Sequence, residues 1–213
     1  MIKALSRKEI FHESVFVDNQ VAVEQQAILR TLAADSKDER DSMKPILDHL
    51  NAFHPQSQTL QNFCVLAYDA LDKADYNNNF ANLMVGLFTK LQIRELYLLT
   101  VIKNDWNEYI FENDEKKDLF LKIVSRHEGG GGLKIEVKHL PKVLPLFFHS
   151  HPDYPHINLM SGEENFPINL LLCKDGNFHT LLNERNEEQL RTAANATGLV
   201  MGDYEICRVI KNS

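Results

Sequence analysis

Apolar side chains recur every three to four positions through most of the first ninety residues. Four segments carry such a stripe: VAVEQQAILRTLAAD, SKDERDSMKPILDHLNAF, TLQNFCVLAYDAL and NNNFANLMVGLFTKL. A repeat of this length places apolar residues on one face of an α-helix. Short polar joints separate the segments, as in helical bundles. The pattern therefore predicts four amphipathic helices and a helical subdomain over residues 1–92.

The pattern changes after Ile93, where short apolar and β-branched runs predict strands. PINLLLCKDGNFHTLL has two such runs joined by an Asp-Gly turn, which predicts a β-hairpin. Strands are expected in ELYLLTVI, NEYIFE, LKIEV, VLPLFF and YEICRVI, and two helices in EKKDLFLKIVSRHE and ERNEEQLRTAANATG. We therefore expect an α+β protein: a helical N-terminal half, then a mixed, mainly antiparallel sheet with two helices in residues 93–213. One continuous domain is the alternative to two subdomains.

Composition limits the kinds of partner and the cellular compartment that we expect. The 213 residues carry a net charge of −7. Without a basic cluster, such a chain is not expected to bind nucleic acid or an anionic membrane, whereas a protein partner remains open. The three cysteines, Cys64, Cys173 and Cys207, form no CxxC pair and indicate free thiols in a reducing compartment. Cys173 and Cys207 lie in apolar runs and are expected to be packing residues.

The N-terminal segment MIKALSRKEIFHES has no apolar run long enough for a signal peptide. No part of the chain approaches the length of uninterrupted apolar sequence that a membrane-spanning helix needs. A cytoplasmic protein is therefore expected, although export by a route that uses no signal peptide would leave the same pattern.

Cys64 and His179 are the first candidates for catalysis. Cys64 lies early in a predicted helix, where the helix dipole would lower the pKa of a thiol. His179 follows the Asp-Gly turn at the start of the return strand. Gln58 and Gln61 lie just upstream of Cys64 and could donate to an oxyanion. Because Cys64 also falls on the apolar stripe of its segment, a packed, structural thiol is the alternative.

This arrangement resembles that of papain-like and ovarian-tumour-type cysteine proteases in order and context. The Cys precedes the His, the His follows a turn in a hairpin, and Gln58 stands six residues before Cys64. The resemblance implies a thiol hydrolase that cleaves a peptide, isopeptide or Gln side-chain amide bond of a protein. Cys64 would be the nucleophile, His179 the base and Gln58 or Gln61 an oxyanion donor, with no cofactor. Asn183, Glu184 or Asp203 could orient the imidazole.

A histidine-rich stretch, FFHSHPDYPHINLMSGEE, offers a metal site instead. In an extended segment, His149 and His151 would point the same way, and paired imidazoles with a carboxylate suit zinc. HSHP followed by SGEE resembles the JAMM metalloproteases. The resemblance implies zinc held by His149, His151 and Glu164, with Ser161 orienting the oxyanion. The loop between the two half-motifs is two residues longer than is usual in that family, and Glu164 replaces Asp.

Three hypotheses follow from these patterns. The leading one is a thiol hydrolase that uses Cys64 and His179. The second is a zinc-dependent peptidase or isopeptidase that uses the HSHP loop. The third is a non-catalytic interaction protein, such as an inhibitor, an immunity protein or an adaptor, whose acidic surfaces bind a protein partner. A polar surface loop is the structural alternative for the histidine stretch.

Overall fold

The structure is a computed structural model that describes residues 1–35, 37–49, 60, 62–124, 131–149, 156–163, 165–173 and 176–207. Strands are β1 (Ile2–Leu5), β2 (Asn62–Ala67), β3 (Glu95–Thr100), β4 (Gly132–Glu136), β5 (Ile157–Ser161), β6 (Ile168–Leu172), β7 (Phe178–Leu182) and β8 (Val200–Gly202). Helices are α1 (Arg7–Glu13), α2 (Val15–Asp35), α3 (Lys37–Met43), α4 (Lys73–Lys90), α5 (Asp114–Val124), α6 (Leu140–Phe147) and α7 (Glu187–Asn195). None of these helices is long and apolar enough to span a membrane.

The described strands form one antiparallel sheet in the order β1-β4-β3-β5-β6-β7-β2-β8. Two of these strands, β1 and β2, come from the first 92 residues, so the sheet unites both halves of the chain. Residues paired across antiparallel strands point to the same face. The register therefore assigns every strand residue to one of two faces, and each face has its own helical cover.

The first face carries the larger core. Leu66, Leu98, Leu133 and Leu170 point to it and pack in one buried cluster with residues of α4, α5, α6 and α7. Aromatic rings fill the middle of this layer: Trp106, Phe120 and Phe147 meet at ring centroid distances between 4.9 and 6.2 Å. Most of the stabilising apolar burial in the described residues lies on this side.

Among the described residues, α1 and α2 cover only part of the width of the second face. Val17 and Val21 of α2 pack on Tyr97, Leu99 and Met160, which project from β3 and β5. Further along the sheet, on β6, β7 and β2, the second-face residues are mostly half-buried: Leu171, His179, Leu181 and Phe63. The candidate functional groups lie on this half-buried part of the second face.

The α+β class is confirmed, and so are several elements. The predicted hairpin is β6–β7, with His179 in the return strand. Helix α7 forms where predicted and is followed by Gly198, whose φ of 84° is a conformation that favours glycine after a helix. Helix α4 begins after Asp72, whose side chain accepts a hydrogen bond from the N–H of Asp75. The segment NNNFANLMVGLFTKL, predicted to be helical, therefore lies, except for its last residue, inside a helix that begins several residues earlier.

Other element predictions are wrong, and for one main physical reason. The segment around Cys64 was expected to be a helix, but Asn62–Ala67 is a strand inside the sheet. VLPLFF was expected to be a strand, but all of it except the last residue belongs to helix α6. Both runs are apolar and buried nearly throughout, so their periodicity does not distinguish helix from strand. NEYIFE contains no strand, and Tyr204–Ile206 of YEICRVI is a 3-10 turn.

Candidate functional site

The predicted Cys64–His179 pair is not formed. Strands β2 and β7 are neighbours, but Cys64 pairs with Thr180 and His179 pairs with Val65. Adjacent positions of a strand point to opposite faces, so the thiol and the imidazole lie on opposite sides of the sheet. The spacing of the two residues along the chain carried no information about this one-residue difference in register.

Cys64 also has the environment of a packing residue. It is 5% exposed and joins the core on the first face. Burial, reinforced by the nearby Glu187 carboxylate, raises the pKa of the Cys64 thiol to about 12. A thiol that stays protonated at neutral pH is a poor nucleophile. The alternative interpretation of Cys64, a structural thiol, fits these observations.

The remaining predicted site residues lie mostly outside the described part of the chain. This is so for Gln58, Gln61, His151 and Glu164. His149 is described, with a φ of 65° and its Nε2 atom 3.2 Å from Oδ1 of Asn77 on α4. Burial, together with the charge of Lys73, lowers the pKa of the His149 imidazole. The predicted zinc site of the HSHP loop therefore remains a prediction.

His179 instead meets two other cysteines on the second face. Its Nε2 atom lies 3.4 Å from Sγ of Cys207. The Sγ atoms of Cys173 and Cys207 are 3.8 Å apart. All three ligand atoms lie within 4.8 Å of one another. We refer to Cys173, His179 and Cys207 as the Cys2His cluster.

The β6–β7 hairpin positions two members of this cluster. Cys173 directly follows β6, and its N–H donates to the carbonyl of Asn177 at 2.9 Å. Gly176, with a φ of 80°, occupies the left-handed conformation that a tight turn requires. Its carbonyl accepts a 2.6 Å hydrogen bond from the hydroxyl of Tyr76 on α4. The turn is thus held from the far side of the sheet, and Cys173 and His179 are placed beside each other.

The chain after β8 brings in the third member. Strand β8 is the edge strand of the sheet and pairs with β2. A 3-10 turn at Tyr204–Ile206 then leads to Cys207. The ring of Tyr204 stacks on Phe63 at 4.2 Å and meets His179 edge-on at 5.3 Å. These ring contacts place Cys207 above β7. We call residues Asp203–Cys207 the C-terminal arm.

The two cysteines expected to be packing residues, Cys173 and Cys207, thus also lie beside the imidazole of His179. Cys173 is buried and Cys207 is half-buried, but their sulfur atoms converge on an imidazole rather than on apolar side chains alone. The one available signal was CKDGNFH, in which a Cys and a His flank a hairpin turn. Cys207 lies 28 positions beyond His179, and only the path of the C-terminal arm reveals its contribution.

No protein-family model, curated protein or solved structure matches the chain. The resemblances to cysteine proteases and to JAMM metalloproteases consequently gain no independent support. What the site can do is argued below from its own geometry.

Proposed function

We propose that the protein binds a zinc ion through Cys173, His179 and Cys207. The observation that carries the proposal is the spacing of the ligand atoms. Zinc bonds of about 2.3 Å to sulfur and about 2.0 Å to nitrogen, in tetrahedral geometry, place two sulfurs about 3.8 Å apart and a sulfur and a nitrogen about 3.5 Å apart. The cluster has 3.8 Å between its sulfurs and 3.4 Å between His179 Nε2 and Cys207 Sγ.

The chemistry of the ligand set supports zinc over other common ions. Thiolates and imidazole are soft or borderline ligands, which suit zinc and disfavour magnesium and calcium. The side-chain amide of Asn177 donates to Sγ of Cys207 at 3.4 Å, a contact that stabilises a thiolate and orients it. Three protein ligands leave one tetrahedral position for water, a substrate atom or a further protein ligand.

The expected role of the ion is first of all structural. Cys173 and His179 belong to the hairpin, whereas Cys207 belongs to the C-terminal arm. An ion shared by them would join this arm to the sheet, and the free energy of metal binding would then contribute to folding. An exchangeable ligand in the fourth position would in addition allow the ion to polarise a bound carbonyl or activate water.

The direct test is the zinc content of the purified protein and of alanine variants. We expect about one zinc per chain, as tetrahedral sites of this type bind a single ion. Cys173→Ala, His179→Ala and Cys207→Ala should each lose most of the bound metal. Cys64→Ala is the matched control, because it removes a thiol on the opposite face and should keep the metal. Far-ultraviolet circular dichroism would confirm that each variant is folded.

Two results would contradict the proposal. One is wild-type protein that takes up no zinc after incubation with the metal under reducing conditions. The other is zinc content that is equally reduced in Cys64→Ala and in the cluster variants, which would place the metal elsewhere or indicate general unfolding.

A second candidate function is a thiol hydrolase in which Cys207, rather than Cys64, is the nucleophile. The contact of 3.4 Å between Cys207 and His179, together with the partial exposure of Cys207, favours it. His179 would take the thiol proton as the sulfur attacks the carbonyl carbon of an amide. The imidazolium would then protonate the departing amine, and water would hydrolyse the thioester. A protein substrate is the partner expected for this chemistry.

Iodoacetamide labelling followed by mass spectrometry separates the two functions. If zinc is bound, Cys173 and Cys207 should be protected until a chelator removes the metal. If Cys207 is a nucleophile that binds no metal, it should react without a chelator, faster than Cys64, and His179→Ala should slow that reaction. Equal labelling of all three cysteines in folded protein would argue against both functions.

A further inference from the structure

Helix α2 carries a polar stripe where its cover of the sheet ends. Gln20 and Glu24 lie one helical turn apart on this stripe, and the amide of Gln20 donates to Oε1 of Glu24 at 2.8 Å. The side-chain amide of Asn169, on the second face of β6, donates to the same oxygen at 2.6 Å. The half-buried carboxyl group is thus fixed against the sheet through one of its two oxygens.

Asn169, which contacts this carboxyl group, and Asn158 on the adjacent strand have atoms without partners among the described residues. Asn158 is 0% exposed, and neither its Nδ2 nor its Oδ1 atom makes a hydrogen bond there. Asn169 is 2% exposed, and its Oδ1 atom is likewise unpaired. A buried polar atom left without a hydrogen bond costs about 1–3 kcal/mol. Three such atoms in neighbouring strands indicate a place for a bound group.

The sheet register shows how these residues are arranged. Asn158 pairs with Leu171, and Asn169 pairs with Leu181, all on the second face. Asn158 and Asn169 are diagonal neighbours on β5 and β6, a relation that corresponds to about 7–8 Å between backbones. Leu171 and Leu181 lie beside these polar side chains and are half-buried. They form an apolar surface that solvent reaches on the β7 side.

The unpaired atoms define the chemistry that would match them. Oδ1 of Asn158 and Oδ1 of Asn169 are acceptors, as is the second carboxylate oxygen of Glu24, and only Nδ2 of Asn158 is a donor. A primary ammonium group has three donors, no acceptor and one positive charge. Hydrated magnesium or calcium fits less well, since a single carboxylate beside leucine side chains is a poor site for a hard cation.

We propose that Glu24, Asn158 and Asn169 form a binding site for the protonated primary amine of a small organic ligand, with Leu171 and Leu181 contacting its apolar part. Glu24 supplies the countercharge, and the two asparagine carbonyl oxygens accept the remaining N–H groups. The site does not depend on a metal in the Cys2His cluster. Asn169 is, however, a diagonal neighbour of His179, so a ligand bound here would extend toward that cluster.

Hexylamine is a suitable probe, because it combines an ammonium group with a short apolar chain. Its titration into isotopically labelled protein at pH 8 can be followed by the side-chain NH2 resonances of Asn158 and Asn169. Saturable shifts of both are expected in wild-type protein. Glu24→Gln, which keeps the shape and removes the charge, should weaken binding at least about tenfold, as expected for loss of a close countercharge. Glu188→Gln, an exposed site on α7, is the matched control and should bind normally.

Hexanol, which has no charge, and magnesium chloride, which supplies a hard cation, are the control ligands in the same titration. The proposal is overturned if hexanol produces the same saturable shifts, if magnesium does so instead of the amine, or if Glu24→Gln binds hexylamine as well as wild type. Asn158→Leu offers a second route to the same conclusion if Glu24→Gln is poorly folded. It removes both unpaired amide atoms at similar volume and should also weaken amine binding while leaving the cluster intact.

Discussion

At the scale of single residues, burial decides which acidic groups are ionised at neutral pH. Burial raises the pKa of the Glu24 carboxyl to about 7, although Gln20 and Asn169 donate hydrogen bonds that lower it. Burial likewise raises the pKa of the Cys64 thiol to about 12. In both cases the loss of hydration of the anion outweighs the neighbouring groups that favour it. Glu24 can therefore change its charge close to neutral pH, and Cys64 cannot.

The raised pKa of Glu24 should make stability depend on pH. Between the ordinary pKa of about 4.5 and the raised value of about 7, the folded chain holds a proton that the unfolded chain has released. The contribution of Glu24 to the free energy of unfolding should therefore fall as pH rises through this window. Glu24→Gln should remove that fall and stabilise the protein at pH 8 by roughly 1–3 kcal/mol.

Urea denaturation of wild type and Glu24→Gln at pH 5 and pH 8 measures this effect. Glu188→Gln again serves as the control, because an exposed carboxyl should leave the pH dependence as in wild type. If the free energy of unfolding differed between pH 5 and pH 8 by the same amount in Glu24→Gln as in wild type, Glu24 would have an ordinary pKa in the folded protein.

At the scale of elements, a buried ion pair fastens the first helix to the sheet. Arg7 of α1 is 6% exposed and lies 2.8 Å from a carboxylate oxygen of Asp48. Its other guanidinium nitrogens donate to the carbonyls of Thr100 and Val101 at 2.7 and 3.0 Å. Burial lowers the pKa of Arg7, and the neighbouring Asp48 carboxylate opposes that shift. The pair joins α1, the segment after α3 and the end of β3.

Gln25 of α2 completes this connection. Its amide nitrogen donates to Asp48 and to the carbonyl of Val101, and its oxygen accepts the backbone N–H groups of Asp48 and His49. One amide group thus satisfies two backbone donors and two acceptors. Because this network joins α2 to the segment after α3 and to the residue that follows β3, it fixes the relative position of three parts of the chain.

Arg7→Met should destabilise the protein by about 3–5 kcal/mol, because it leaves the largely buried carboxylate of Asp48 without its main countercharge. Adding Asp48→Asn to Arg7→Met should recover part of that loss, since the unpaired charge is then removed. A double-mutant cycle measured by chemical denaturation gives both values. Lys3→Met, at an exposed pair with Glu13, is the control and should change stability by less than about 1 kcal/mol. If Arg7→Met and Lys3→Met lowered the free energy of unfolding by the same amount, the structural role of Arg7 would be contradicted.

At the scale of the whole molecule, a single sheet joins the ends of the chain to its middle. β1 and β4 form one side of the sheet, and β2 and β8 form the other. The Cys2His cluster lies near the second of these sides, where the described cover of the second face is thin. The C-terminal arm lacks extensive apolar burial. The free energy of ion binding would stabilise it instead.

Hydrogen exchange should detect this compensation directly. Zinc is expected to slow exchange of the Ile206 and Cys207 amides, which bond to carbonyls of Asp203 and Tyr204. At saturating zinc the slowing should be at least about tenfold, as the bound state is favoured by mass action. Amides of α1 should be unaffected. The same experiment on Cys207→Ala should show no zinc effect, and equal slowing in that variant would assign the effect to another site.

Local pattern was sufficient for several parts of this protein. Amphipathic helices with polar joints, such as α4 and α7, and the hairpin with its Asp-Gly turn follow from periodicity and turn chemistry. So does the α+β class. The helices and the hairpin depend on interactions between residues close together in the chain, which a sequence pattern reports directly.

Tertiary structure alone decided the rest. The segment of Cys64 is a strand because neighbouring strands pair with it on both sides, a partnership that its own apolar run does not encode. The same register turned His179 away from Cys64 and toward Cys173 and Cys207. A shift of one residue in a β-sheet moves a side chain to the opposite face, so which thiol meets the imidazole depends on long-range pairing rather than on spacing along the chain.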